Sequence, residues 1–421
     1  MDIRITPGPL KGTVPAPVSK SELHRMLICS SFSDAPVMIK GFTGRLPDDI
    51  LATVSCLERL GAVISCSDGE IYVTPVNKVP ERPLLDCAES GSTLRFLLPV
   101  TAAVCGSAEI HGDSSLAARP VSELIDALSG CGAGFTSRTL PTELRSSLSG
   151  NRFLIPGNVS SQYVSGLMMA SALLPGTSEV TVTTPFVSRD YVGMTSEIMR
   201  EFGAAVEQTE SLLRISGPYR SPGTAAAGGD WSGAAAVMAA AAASPGSDVT
   251  VTGLEERSHQ ADRRIAGILS SMGALVSIDG GSVRVKSAGK LRPAELDADM
   301  IPDLFPVTAA LGAGAEGVSE FRNCRRLRYK ESDRIRTMDR LLSGFGAEVS
   351  TDGERFLVTG PGGRRSAEAD PEGDHRIAMA AAVAAYAVGA ETVIRGAECV
   401  EKSYPAFFDD LRSLGGRVDV I

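Results

Sequence analysis

Apolar positions recur along the chain at three- and four-residue spacing, in stretches that each close on a glycine. Ile50, Val54 and Leu57 precede Gly61; Ile265, Ile268, Leu269 and Met272 precede Gly273; Ile335, Met338, Leu341 and Phe345 precede Gly346. The spacing predicts amphipathic helices, each with its glycine as a left-handed C-terminal cap. A glycine followed by a small residue stands at positions 61, 132, 203, 273, 346 and 415, at intervals of 71, 71, 70, 73 and 69. Chance does not hold so even a period, so the chain is six copies of one unit. Short alternating runs after the glycines predict strands, three of them turned back at Asp68-Gly69, Asp279-Gly280 and Asp352-Gly353.

A second helix in each copy opens at Ser21, Ser92, Ser161, Ser232, Asp303 or Arg376, at intervals of 71, 69, 71, 71 and 73. Stretches such as LMMASALL, AAAVMAAAAA and IAMAAAVAAYAV are apolar on every side, which predicts helices buried nearly all round. Strands such as VMIKGF, EVTVTTP and DVTVTGL link the two helices, so each copy reads strand, helix, strand, helix, hairpin. The Pro- and Gly-rich stretch RSPGTAAAGGD, 220–230, falls after the third copy, and a similar stretch, KGTVPAP at 11–17, follows an N-terminal strand. If that strand pairs with the C-terminal half, the chain crosses between two domains twice, and the crossings form a hinge. The expected fold is α/β (α+β), with one domain from 1–12 plus 230–421 and the other from 13–229.

Composition narrows the function. A chain of 421 residues is too long for one ordinary core, and its 43% apolar and 22% charged content suits two soluble domains. A net charge of −9 weighs against nucleic acid as the main partner. The eight cysteines lie scattered, without metal-ligand spacing, and read as reduced, buried small residues. The start MDIRITPGPLKG lacks the basic and apolar parts of a signal peptide, and the Ala-rich stretch 233–243 is too short to span a bilayer. A cytoplasmic address without a membrane partner is therefore expected.

The repeat places six buried-helix starts equivalently, and helix starts favour anions. If the three starts of each domain face the other domain, the cleft between them suits anionic ligands. Ser19-Lys20-Ser21-Glu22-Leu23-His24-Arg25 brings two cations to the first start. Glu89-Ser90-Gly91-Ser92 leaves the second bare of a side chain, and Ser160-Ser161-Gln162 gives the third more polar groups than a cap needs. Ile301-Pro302-Asp303 and Asp374-His375-Arg376 put charge at the fifth and sixth starts. Arg376 opposes the helix dipole there and calls for an anion to offset it. The densest cluster runs from Arg325 to Arg334 and includes Lys330, Glu331 and Asp333; Arg119-Pro120 and Glu401-Lys402 recur at related points of the repeat.

In order and spacing, SKSELHR, the Gly91 helix start, ARP, SSQ, the SRDY segment from Ser188 to Tyr191, IPD, KESDR, DHR and the Lys402 segment closely resemble the EPSP synthase (3-phosphoshikimate 1-carboxyvinyltransferase) family over essentially the whole chain. The resemblance implies two similar domains, each of three βαβαββ repeats. It also implies transfer of the enolpyruvyl group of phosphoenolpyruvate to the 5-hydroxyl of shikimate 3-phosphate, without metal or cofactor, in a monomer inhibited by glyphosate. By the same resemblance Lys20, Ser21, Arg25, Ser160, Ser161, Gln162, Ser188, Asp303 and Lys330 hold shikimate 3-phosphate, with Tyr191 nearby. Phosphoenolpyruvate falls to Lys20, Gly91, Arg119, Gln162, Arg334, Arg376 and Lys402. Lys20, Asp303, Glu331 and Lys402 carry catalysis, Asp303 accepting the hydroxyl proton and either Glu331 or Lys402 handling the proton on the methylene carbon. Glu89 and Arg326 depart from the family pattern. Two competing readings are a UDP-N-acetylglucosamine enolpyruvyl transferase and a scaffold without chemistry. The first is disfavoured because 112–118 lacks a cysteine, the second because the charged set is complete.

Overall fold

The computed structural model describes every residue except 43, 68, 187, 188 and 362. The chain divides into two compact units, a continuous one from Val18 to Ala227 and a discontinuous one from Met1–Pro17 plus Gly228–Ile421. The described residues form six four-stranded sheets. All six share one order: a parallel pair first, then two strands each antiparallel to its neighbour.

The continuous unit holds three of them. Thr224–Ala226, Val37–Lys40, Glu70–Thr74 and Val63–Ser67 form the first. Leu84–Asp86, Ala108–His111, Thr142–Ser146 and Gly134–Phe135 form the second. Arg152–Ile155, Thr177–Val182, Leu212–Ser216 and Ala205–Gln208 form the third. In the discontinuous unit, Lys11–Pro15 opens the sheet of Asp248–Thr252, Ser282–Lys286 and Leu275–Asp279. A second sheet there joins Glu295–Asp297, Gly317–Arg322, Phe356–Gly360 and Glu348–Thr351. In the last, Ile3–Thr6 sits between Thr392–Ile394 and Arg417–Val420, replacing the hairpin strand that the sixth copy lacks.

The two stretches read as linkers each carry a strand. Lys11–Pro15 pairs in parallel with Asp248–Thr252, and Thr224–Ala226 with Val37–Lys40. Both lie at the edge of their sheets, where proline is tolerated because one side of the strand needs no ladder. Each completes a sheet, so the division falls after Pro17 and Ala227 rather than after residues 12 and 229.

All six interval glycines have positive φ, from 78° at Gly203 to 105° at Gly61 and Gly273. In every copy the residue after the glycine donates its N–H to a carbonyl five residues back, as Ala62 does to Leu57 at 3.1 Å and Gly416 to Leu411 at 2.8 Å. This doubly bonded cap satisfies helix-end carbonyls and turns each amphipathic helix into its strand. The hairpins depart slightly from expectation. Asp279 pairs with Ser282, so Gly280-Gly281 is the two-residue turn, and Thr351 pairs with Phe356 across a longer loop. Asp68 lies outside the described residues, between strands closed by the Ser67–Glu70 pair.

The all-apolar helices form the two cores. Trp231–Ala243 and Phe305–Gly312 are buried along their whole length and pack against His375–Val388. Lys20–Ser31, Gly91–Val104 and Ser161–Ser171 occupy the same places in the continuous unit. Small residues let these backbones approach closely. A Cβ at Gly166 would lie 2.2 Å from the Arg95 carbonyl oxygen, so Gly166→Ala must push the Gly91 and Ser161 helices apart. We expect that variant to lose about 1–3 kcal/mol, read as a lower denaturation midpoint at unchanged m-value; a midpoint equal to the parent's would contradict the close approach.

Candidate active site

Local chemistry sets where the buried helices begin. Ser19, Ser90, Ser160, Asp230 and Asp374 cap them, each side chain accepting a backbone N–H of the first turn. The fifth helix is the exception. Its cap position is Leu304, without a side-chain cap bond. Asp303 instead accepts from Arg334 Nη1 at 2.9 Å, so the carboxylate serves something other than its own helix start.

In the continuous unit, one polar network holds the three helix starts. Lys20 Nζ donates to Asp49 Oδ2 at 2.6 Å. Gln162 bridges the second and third starts, its Nε2 donating to Ser92 Oγ and its Oε1 accepting from Arg95 Nη1, both at 2.9 Å. A Cβ at Gly91 would lie 2.7 Å from Arg95 Nη1 and 3.2 Å from Arg119 Nη1, so two guanidiniums stand over a start bare of side chain. Ser160 caps the third helix, whose first residue is Ser161.

Arg25 is 2% exposed and, among the described residues, bonds only neutral acceptors: Ser21 O, Thr195 Oγ1, Ser165 Oγ and Tyr191 O. Its guanidinium also lies 4.8 Å from the Phe96 ring centre. Burial pulls its pKa down to about 10, only partly opposed by Tyr191 and Glu22. A buried cation without a carboxylate bonded to it gains from any anion brought beside it. Ser188 lies outside the described residues.

In the discontinuous unit, Arg334 is 1% exposed and is the centre of a carboxylate cluster. Its Nη1 donates to Asp303, its Nη2 to Glu331 Oε2 at 2.8 Å, and its Nε to Asp374 Oδ2 at 2.9 Å. The Pro302 carbonyl accepts a further bond at 3.0 Å. The cluster from Arg325 to Arg334 is therefore not one solvated helix face. Cys324–Tyr329 forms a 3-10 turn, the helix begins only at Arg334, and Lys330 to Ser332 lie in the bend between. Lys330 Nζ stands 3.8 Å from Asp303 Oδ1. Lys402 Nζ donates to the Gly373 carbonyl at 2.7 Å, next to Asp374.

Charge balance decides the protonation states. Burial by itself would raise the Asp303 pKa, but Lys330, Arg376 and Arg334 together outweigh it and hold the carboxyl far below its usual range. Burial pushes the Lys330 ammonium below the ordinary lysine value, with Asp303 opposing and Arg334 adding to the effect. Burial likewise disfavours the Arg334 charge, yet Asp374, Glu331 and Asp303 more than compensate. Arg376, expected to need an anion, has Asp303, Asp230 and Asp262 acting on it against burial. Its Nε is buried with no hydrogen-bond partner among the described residues.

The structure thus brings Gly91, Arg119 and Gln162 together in the continuous unit, with Lys20 beside Asp49, and Asp303, Lys330, Glu331 and Arg334 together in the discontinuous one, with Lys402 against the Gly373 carbonyl. It differs from expectation at Arg334, whose donors are turned onto carboxylates and which leaves almost no surface for a ligand. Arg326 donates to Asp299 Oδ1 at 2.7 Å. Sequence reasoning missed Asp49, Arg95 and Asp374 as parts of the site. Asp374 lay inside a quoted motif and Arg95 one turn beyond the Gly91 helix start, while Asp49 carried no signal beyond an acid in a helix first turn.

Among the described residues no group of His, Cys, Asp and Glu could hold a metal ion, and no helix is long and apolar enough to cross a membrane. Six four-stranded sheets of one order, with charged side chains gathered at buried-helix starts in each unit, define a repeated-unit α/β protein, and comparison with known proteins carries this further. The profile of EPSP synthase (3-phosphoshikimate 1-carboxyvinyltransferase) matches residues 5–411. The 3-phosphoshikimate 1-carboxyvinyltransferase of Methanocorpusculum labreanum is 36% identical, covering 99% of both chains. That of Methanopyrus kandleri is 37% identical, covering 96% of both. The solved EPSP synthase of Acinetobacter baumannii superposes with a TM-score of 0.81 at 26% identity over the full length of both chains. The enolpyruvyl transferase NikO of Streptomyces tendae, at 20% identity and a TM-score of 0.77, shares the fold. The chain belongs to the EPSP synthase family.

Proposed function

We propose that this chain transfers the enolpyruvyl group of phosphoenolpyruvate to the 5-hydroxyl of shikimate 3-phosphate and releases phosphate. In this reading Lys20, Ser21, Arg25, Ser160, Ser161, Gln162, Ser188, Asp303 and Lys330 meet shikimate 3-phosphate, while Lys20, Gly91, Arg119, Gln162, Arg376 and Lys402 meet phosphoenolpyruvate. Arg334 takes a different part from the one expected of it. With its donors engaged by Asp303, Glu331 and Asp374, it orients the carboxylates that move protons.

The 5-oxygen adds to C2 of phosphoenolpyruvate as its proton passes to Asp303, and C3 gains a proton from Glu331 or Lys402. Loss of phosphate from C2 and of a proton from C3 then restores the double bond. Ionised carboxylates also favour the positive charge that grows at C2 before the new bond is complete. Arginine forks suit phosphate and carboxylate because they bind both bidentately.

The observation that carries the reading is Asp303: a carboxylate at a helix start, unused as a cap and kept ionised among Lys330, Arg334 and Arg376. The test is phosphate release from phosphoenolpyruvate with each acceptor in turn. Release with shikimate 3-phosphate alone is expected. Turnover with UDP-N-acetylglucosamine, or with neither acceptor, would overturn the reading.

A further inference from the structure

We propose that Asp49 is a positioning residue, whose carboxylate holds the Lys20 ammonium in place beside the Gly91 helix start; this rests on the enolpyruvyl-transfer reading of the site. Lys20 Nζ lies 2.6 Å from Asp49 Oδ2, and the two side chains are only 12% and 13% exposed. A lysine on a four-carbon stem samples many rotamers unless something fixes its end. Asp49 is the fixing group that the structure supplies.

The residue is itself held. The Asp49 carbonyl accepts from Thr93 Oγ1 at 3.3 Å and from Thr53 Oγ1 at 3.4 Å. Thr53 and Thr93 hydroxyls meet at 2.7 Å, and Thr93 Oγ1 donates to Ser90 Oγ at 2.7 Å. Ser90 is the cap of the Gly91 helix, accepting the Thr93 N–H at 3.2 Å. One short polar chain therefore runs from Lys20 through Asp49 to the cap of the neighbouring helix. Its far end rests on His24, wholly buried, with Nδ1 2.7 Å from Thr53 Oγ1.

Proton counting gives the chain a direction. His24 Nε2 is buried with no hydrogen-bond partner among the described residues. A buried N–H lacking an acceptor costs more than a bare lone pair, so the proton belongs on Nδ1 and His24 donates to Thr53. Thr53 and Thr93 each have one proton to give, so the two 2.7 Å contacts run from Thr53 to Thr93 and from Thr93 to Ser90, and the Asp49 carbonyl shares those protons through its longer 3.3 and 3.4 Å contacts. Burial, with Lys20 and Arg25 adding, holds the His24 pKa well below its usual value, so the ring stays neutral and the chain keeps its direction.

These strut bonds use the Asp49 backbone, so Asp49→Asn removes the carboxylate charge and leaves them intact. The buried side of the Asp48–Arg59 helix, formed by Ile50, Thr53, Cys56 and Leu57, is likewise untouched. A purely structural role would show as lost stability with normal turnover. A positioning role shows as the reverse.

The experiment measures kcat and KM for phosphoenolpyruvate in the parent, Asp49→Asn, Asp49→Glu, Lys20→Ala and the Asp49→Asn/Lys20→Ala double variant, with thermal unfolding of each. Asp49→Asn is expected to lose about 100-fold in kcat/KM at an unchanged melting temperature, because a misplaced group close to the chemistry costs that much. Asp49→Glu should recover part of the loss. In the Lys20→Ala background the same substitution should change kcat/KM by less than about twofold, since the group it holds is gone. Parent-like kcat/KM in Asp49→Asn, or full additivity in the double variant, would overturn the proposal alone. A parent that releases no phosphate would bring down the enolpyruvyl reading and the proposal with it.

Discussion

Arg334→Ala should be the most destabilising single substitution in the discontinuous unit, at about 3–5 kcal/mol, the range for removing one partner of a buried ion pair. Asp374 is 0% exposed and its carboxylate receives Arg334 Nε at 2.9 Å and Nη2 at 3.4 Å. After the substitution it keeps, among the described residues, only the Ser332 hydroxyl and the Arg376 N–H as donors, and neither balances its charge. Asp303 and Glu331 lose their shared partner at the same moment. A melting temperature lower by roughly 10 °C and loss of activity are expected together. Arg334→Lys should not rescue them, because one ammonium cannot serve three carboxylates lying in different directions. Should Arg334→Ala melt within a degree of the parent, the cluster would not hold this unit together.

How far the sequence reads depends on the range of the interaction that makes each part. The amphipathic helices and their caps were legible because a 3.6-residue period and a glycine near the end act within a few residues. All six glycine caps form as expected, and in each the residue after the glycine also bonds back to a helix carbonyl. Lys11–Pro15 and Thr224–Ala226 were not legible, because their partners Asp248–Thr252 and Val37–Lys40 are far off in sequence and their composition is that of a linker. An edge strand needs little propensity when a preformed neighbour offers a ladder.

The site divides in the same way. Lys20, Gly91, Gln162, Asp303 and Arg376 stood out because a helix start is a local signal and surplus charge there is unusual. Arg334 was read as one more cation free for an anion, since Asp303 and Asp374, 31 and 40 residues away, meet it only in the folded chain. Asp49 was silent for the opposite reason. An acid in the first turn is the ordinary complement to a helix dipole, and only its 2.6 Å contact with Lys20 distinguishes it.

Asp303→Asn is expected to cost about 10²–10⁴-fold in kcat, the range for a positioned general base, while binding of shikimate 3-phosphate falls far less. Three cations hold the carboxyl far below its usual range in the free protein. A base stabilised so strongly is a poor proton acceptor, which sets a condition on when it can act. Shikimate 3-phosphate and phosphoenolpyruvate are both polyanions, and their charge beside Lys330 and Arg376 would offset the field acting on Asp303. Its pKa would then climb toward, without passing, the normal carboxylate value of about 3.9, and its basicity with it. On the proposed role, Asp303 would be a weak base until the substrates are in place. The direction of the shift fixes the pH behaviour. The folded value lies below the unfolded one, so Asp303 contributes stability above about pH 4 that is lost as pH falls through the folded value. It is therefore ionised throughout pH 5–8, and raising the pH within that range cannot restore Asp303→Asn. Parallel kcat profiles for parent and variant, separated by a constant factor across that range, are the expected result. A deficit that closes as pH rises, or an Asp303→Asn variant with parent-like kcat, would remove Asp303 from the proton path.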